Sequence, residues 1–147
     1  MARYTSQELA GGTPLLIIRM LDNPVALLLA RICVALPFLV AGTTKLLSWQ
    51  QGVAEMAHVG LHPAWIFNLA SLVTELAGAA AIIVNRAVWL GAGALGVFTL
   101  IATVLAHDFW NFAGAERIQQ MNSFCEHATI CAAFILLTVV SLRRPAA

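Results

Sequence analysis

Charge is scarce in this sequence: 10% of its 147 residues are Asp, Glu, Lys or Arg, where an ordinary soluble domain carries roughly 25%. Apolar side chains make up 61%. A small soluble domain buries only about two thirds of its unfolded surface, so this much apolar material would leave large patches facing water. Other absences narrow the function. A formal net charge of +1 supplies no basic field, which excludes nucleic acid as a partner. Cys33, Cys125 and Cys131 contain no C-x-x-C pair, and Cys125 and Cys131 point to different faces of one helix, so internal dithiol chemistry is not expected. No nucleotide, haem or flavin motif is present. The Gly-rich GAGALG (91–96) sits in a charge-free run with no preceding strand, and its glycines serve helix packing rather than phosphate binding.

What is there instead is a set of long apolar runs. A bilayer core of about 30 Å needs roughly 20 mainly apolar residues per helix, and four stretches qualify: 25–47, 64–84, 87–106 and 123–142. The first starts too late and is too long for a cleavable signal peptide. The short patch PLLIIRML (14–21) reads as an interfacial helix ahead of it. Trp49, Trp65, Trp89 and Trp110 each fall at or beside an expected span boundary, the level that indole prefers. Arg3, Arg19, Arg86, Arg143 and Arg144 gather on one side of the spans, against Lys45 and Arg117 on the other, which predicts cytoplasmic termini. The expected fold is all-α: an antiparallel four-helix bundle in the membrane over residues 25–142. A cytoplasmic or interfacial segment, 1–24, precedes it, and a cytoplasmic tail, 143–147, follows.

Each span has a polar or small side, because residues three, four and seven apart share a helix face. The stripes are Arg31, Ala35, Phe38, Gly42 and Lys45; Asn68, Ser71, Glu75 and Gly78; Gly96, Thr99, Thr103 and His107; and Asn122, Glu126, Thr129 and Ala133. Lipid cannot satisfy polar groups, so these faces turn toward protein. Counting residues from the inner span ends puts Arg31 and Glu75 within one helical turn of each other in depth, which predicts a structural ion pair. Lys45, His107, Asp108, Glu126 and His127 lie near the outer ends of three helices. Together with Glu75 they are the candidates for an outward-facing ligand or proton site, roofed by Trp49, Trp110 and Phe112. These are residue types whose protonation couples to quinone or thiol chemistry at the edge of low dielectric. A metal site is a further candidate: Met56, His58 and His62, with i, i+4 spacing for the two histidines and His107 and His127 as additional ligands.

Three segments resemble the DoxX family of small bacterial membrane proteins. RICVALPFLVAGTTKLL (31–47) looks like its first span, with Arg31, Phe38, Gly42 and Lys45 at matching places. TELAGAAAIIVNR (74–86) is similar to its second, in which Glu75 is the acidic residue, and AHDFWNFAGAERIQQMNSFCEHATICAAFILL (106–137) to its closing segment. Glu126 and His127 follow Phe124 where family members commonly show a basic residue and asparagine. The resemblance implies four transmembrane helices in the bacterial inner membrane. Some members are associated with thiosulfate- or quinone-linked oxidation and with oxidative-stress complexes. The expected function is therefore a membrane subunit or accessory factor of a quinone- or sulfur-linked redox system, with quinone as cofactor. Its expected partners are the lipid bilayer, redox subunits and further copies of itself. If catalytic, it is a quinone-linked oxidoreductase subunit. The alternatives are a non-catalytic membrane anchor or assembly factor, and a small-molecule or metal carrier.

Overall fold

A computed structural model of the chain describes residue 12 and residues 14–143, and among these it contains no strand. The helices are α1 (Leu15–Leu21), α2 (Pro24–Leu47), α3 (Trp49–His58), α4 (Ala64–Ile83), α5 (Val88–Ala106) and α6 (Gly114–Arg143), with a 3-10 turn, Phe109–Asn111, before α6. Residues 1–11, 13 and 144–147, among them Arg3 and Arg144, lie outside the described residues, as does the side chain of Arg143.

Four helices, α2, α4, the segment from α5 through the 3-10 turn, and α6, are long and apolar enough to cross a membrane. Helix α2 starts where Asn23 accepts a hydrogen bond from the Val25 amide at 2.9 Å and Pro24 takes the first helical position. Pro37 interrupts its interior and leaves the Cys33 carbonyl without the usual helical donor, an interruption that transmembrane helices tolerate. The expected stripes on α2 and α4 are the buried faces: Ala35, Phe38, Gly42 and Lys45 on one, Asn68, Ser71, Glu75 and Gly78 on the other. Small residues let the backbones close. A Cβ on Gly42 would lie 2.7 Å from a Leu76 methyl, and one on Gly78 would lie 2.6 Å from Leu95 Cγ of α5. The core joins Ala35 and Phe38, Ala79 and Ile82, Ala92 and Leu95, and Phe134 of α6.

Three features go beyond or against the sequence expectations. Between the first two spans the chain forms α3, which packs on α4 through Gly52 and Met56, an i, i+4 pair. The last helix starts at Gly114 and contains the expected 123–142 stretch, extended at its front by a polar first turn with Glu116, a good helix start. Its inward face is also rotated. Asn122, Glu126 and Thr129 are exposed, whereas His127 and Ile130 are half-buried and Phe134 is buried. Aromatic volume decided this: the Phe134 ring meets Phe38 at 5.5 Å between centroids, and Phe124 meets Phe109 at 5.4 Å.

The junction of α3 and α4 is tight. Asn68 is fully buried with neither amide atom hydrogen-bonded, and a Cβ on Gly52 would collide with its Oδ1. Gly52→Ala is therefore expected to cost about 1–3 kcal/mol through overpacking. Thermal unfolding in detergent, with Gly93→Ala as a comparison at a position with nothing within 4 Å, checks this. An unchanged midpoint for Gly52→Ala would show that α3 is not held there.

Candidate functional site

Between α2, α4 and α5, covered by α3 and closed on the last side by α6, lies a cavity of about 540 Å³. Its walls are mainly apolar, including Phe38, Phe67, Phe98 and Ile130. Into it project Lys45, Glu75, His107 and His127 from four different helices or their ends, together with Ser71, Thr74 and Thr99. Phe67, Ala70, Ile101 and Leu105 line it and are also exposed on the surface of α4 and α5, so it is reachable from the side. A volume of this size, apolar with a few convergent polar groups, is the general form of a small-molecule site.

The charged centre is a buried ion pair: Lys45 Nζ stands 2.9 Å from Glu75 Oε1, with the two residues 8% and 2% exposed. The second carboxylate oxygen, Oε2, is buried and has no hydrogen-bond partner. This arrangement replaces the expected Arg31–Glu75 pair. Glu75 faces Gly42, since a Cβ there would lie 3.4 Å from the Glu75 Cβ. Arg31 is eleven residues before Gly42 on the same helix, about 16 Å along the axis, whereas Lys45 is less than one turn away. Counting depth from each span's end misplaced the level because α2 begins well before the point where α4 meets it. Arg31 is left half-buried, with its Nε lacking a hydrogen-bond partner.

The two histidines form the other polar group. Their rings meet edge to face at 4.8 Å between centroids. His127 Nδ1 is 2.8 Å from Thr103 Oγ1 and His107 Nδ1 is 2.7 Å from Gln120 Oε1, so each ring is anchored by its δ nitrogen. Thr103 in turn donates to the Thr99 carbonyl at 2.6 Å, and Thr99 to the Leu95 carbonyl at 2.7 Å.

Of the six candidates for the site, Lys45, Glu75, His107 and His127 come together. Glu126 does not: it is exposed on α6, one position and about 100° around the helix from His127. Asp108 lies outside the cavity wall and accepts a hydrogen bond from Asn111 Nδ2 at 2.6 Å within the turn that follows α5. Nor do Trp49, Trp110 and Phe112 roof the cavity. Glu55, Met56, Val59 and Leu61 line it there, and Trp110 packs against Phe109 and Phe124 instead. Glu55, Thr74, Thr99 as a cavity group, and Gln120 as the anchor of His107 were not singled out from the sequence. The Gly52, Met56, Val59 spacing was the available sign that α3 presents a face here.

The proposed metal ligands separate as well. Met56 is buried with its sulfur 3.9 Å from Ser71 Oγ, while His58 and His62 are exposed. His58 ends α3 and Gly60 at φ +79 turns the chain before His62, so the two histidines share no helix face. Among the described residues there is no group of three or more His, Cys, Asp or Glu side chains placed to hold a metal ion.

A family model described as DoxX matches residues 26–108, more than half of the chain. The inner membrane protein YphA of Escherichia coli (strain K12) is 29% identical over 117 residues, a stretch covering 80% of this chain and 84% of that protein. No solved structure matches the chain. Lys45, Glu75 and His107 fall inside the matched segment, and His127 falls beyond it.

Proposed function

This chain belongs to the DoxX family, and on that premise we propose that it is a membrane subunit or accessory factor of a redox system that holds a quinone-class molecule in the cavity between α2, α4 and α5. It is a multi-pass protein of the bacterial inner membrane, with four apolar helices of spanning length. The reading takes the bundle as antiparallel with cytoplasmic termini. Gly78 approaches Leu95 while Gly91 approaches Ala81, a reversed register between α4 and α5 that supports antiparallel packing. Arg19 and Arg86 on one side against Arg117 on the other support the orientation. The cavity then sits in the outer half of the membrane.

The observation that carries the proposal is the meeting of a buried Lys45–Glu75 pair and two histidines in one apolar, laterally reachable cavity. A ring with oxygen at both ends and a lipid tail matches it: apolar walls take the ring, the polar groups take the oxygens, and the tail leaves sideways into lipid. Partner subunits that exchange electrons with such a ligand, and association with further copies of the chain, belong to the same reading.

Purified in mild detergent and extracted with organic solvent, the protein is expected to carry about one quinone per chain by mass spectrometry. Ala102→Phe, which puts a ring into the cavity from α5, is expected to empty it while leaving the elution profile unchanged. A protein free of quinone that retains a partner subunit would instead support a non-catalytic anchor.

A further inference from the structure

Resting on the quinone-class reading, we infer that this cavity selects its ligand by hydroxyl hydrogens and therefore takes the reduced, dihydroxy form of the ring in preference to the dione. The hydrogen-bond direction of each wall group leads there. A hydroxyl has one hydrogen. That of Thr99 goes to the Leu95 carbonyl, that of Thr103 to the Thr99 carbonyl, and that of Ser71 to Met56 sulfur. Assigning the Thr103 hydrogen to the Thr99 carbonyl makes Thr103 Oγ1 the acceptor from His127 Nδ1, and in that tautomer His127 Nε2 is left as an acceptor. The Gln120 carbonyl oxygen can only accept, which assigns the hydrogen of the 2.7 Å contact to His107 Nδ1. Glu75 holds Lys45 with Oε1, and its buried Oε2 has no partner. Glu55 adds another carboxylate to the wall.

The free polar atoms around the cavity are thus acceptors, with the remaining Lys45 hydrogens as the standing donors and Thr74 able to serve either way. A dione brings only acceptors. One of its oxygens meets Lys45, and the other faces lone pairs, which leaves buried groups unmet at a real cost. A dihydroxy ring donates at both ends, to Glu75 Oε2 and to His127 Nε2, and still accepts from Lys45. Sites built to meet a ligand hydroxyl reject the analogue lacking it more strongly than apolar pockets reject a change of size.

The test is anaerobic titration calorimetry of the full chain in nanodiscs with three probes, protein-free discs serving as blanks. The probes are decylbenzohydroquinone, decylbenzoquinone, and the dimethyl ether of the hydroquinone, which has the same ring without donors. The hydroquinone is expected to bind about tenfold more tightly than the other two, as one charge-assisted hydrogen bond would give. For the two-electron couple that raises the bound midpoint potential by about 30 mV. His127→Leu, which leaves the Thr103 to Thr99 bond in place, is expected to cut the ratio to roughly threefold. Equal or tighter binding of the dione, or a ratio unaffected by His127→Leu, overturns the inference while the quinone-class reading stands. Failure of every probe to bind overturns the quinone-class reading and the inference with it.

Discussion

Glu75→Ala is expected to abolish recovery of monodisperse protein, and Lys45→Met with Glu75→Leu to restore it. Lys45 is 8% exposed and its ammonium has a carboxylate 2.9 Å away. Removing that carboxylate strands a cation among apolar helices. Breaking one side of a buried pair costs about 3–5 kcal/mol. That is a large part of the roughly 5–15 kcal/mol that holds a typical domain together. Replacing both partners with apolar side chains of similar length removes the stranded charge, and such replacements are often neutral. Detergent size-exclusion profiles of Glu75→Leu, Lys45→Met and their double variant form a cycle in which the pair should show strong coupling. Arg31→Leu combined with Glu75→Ala is expected to give no rescue. Rescue by Arg31→Leu, with none by Lys45→Met, would place the counter-charge on the wrong residue here.

The second large effect is expected at Gly91. A Cβ there would stand 2.8 Å from the Gly78 backbone carbonyl oxygen and 2.9 Å from Ala81 Cβ. Neither neighbour is the movable end of a long side chain, so α4 and α5 must separate. In membranes this closeness is itself the attraction, since lipid tails are as apolar as the helices and association rests on packing. Gly91→Val is expected to lower stability by about 1–3 kcal/mol or more through overpacking. It should also loosen the wall of the cavity further along the same two helices. Gly93, two residues on, has nothing within 4 Å of its would-be Cβ, and Gly93→Val should stay within about 0.5 kcal/mol of the parent. Thermal unfolding of both in one detergent decides it, and equal losses would mean that the α4–α5 contact is not tight at Gly91.

Legibility differed from residue to residue. Helices α2 and α4 showed their buried faces in the sequence because Gly42, Lys45, Asn68, Ser71 and Glu75 are small or polar among residues that lipid accepts, so the odd ones mark the protein side. The same rule misread α6. Its Asn122, Glu126 and Thr129 lie in or near the helix's polar first half, where being polar does not mark the protein side, and the inward direction was carried by Phe134 and His127. Helix α3 was missed because ten residues with three small apolar ones and several polar ones look like loop until Gly52 is seen against Asn68.

The amino-acid order alone determined that the chain is helical, that four segments suit lipid, and that Lys45, Glu75 and His107 turn away from it. Those outcomes follow from length, hydropathy and a 3.6-residue period, which act along one helix at a time. Which cation meets Glu75, which of Glu126 and His127 looks inward, and that Met56 rather than a tryptophan closes the cavity were decided only in the tertiary structure. Each depends on the axial offset and rotation of one helix against another, set by where a missing Cβ lets backbones touch and where an aromatic ring must fit, and that relation has no counterpart within a single segment.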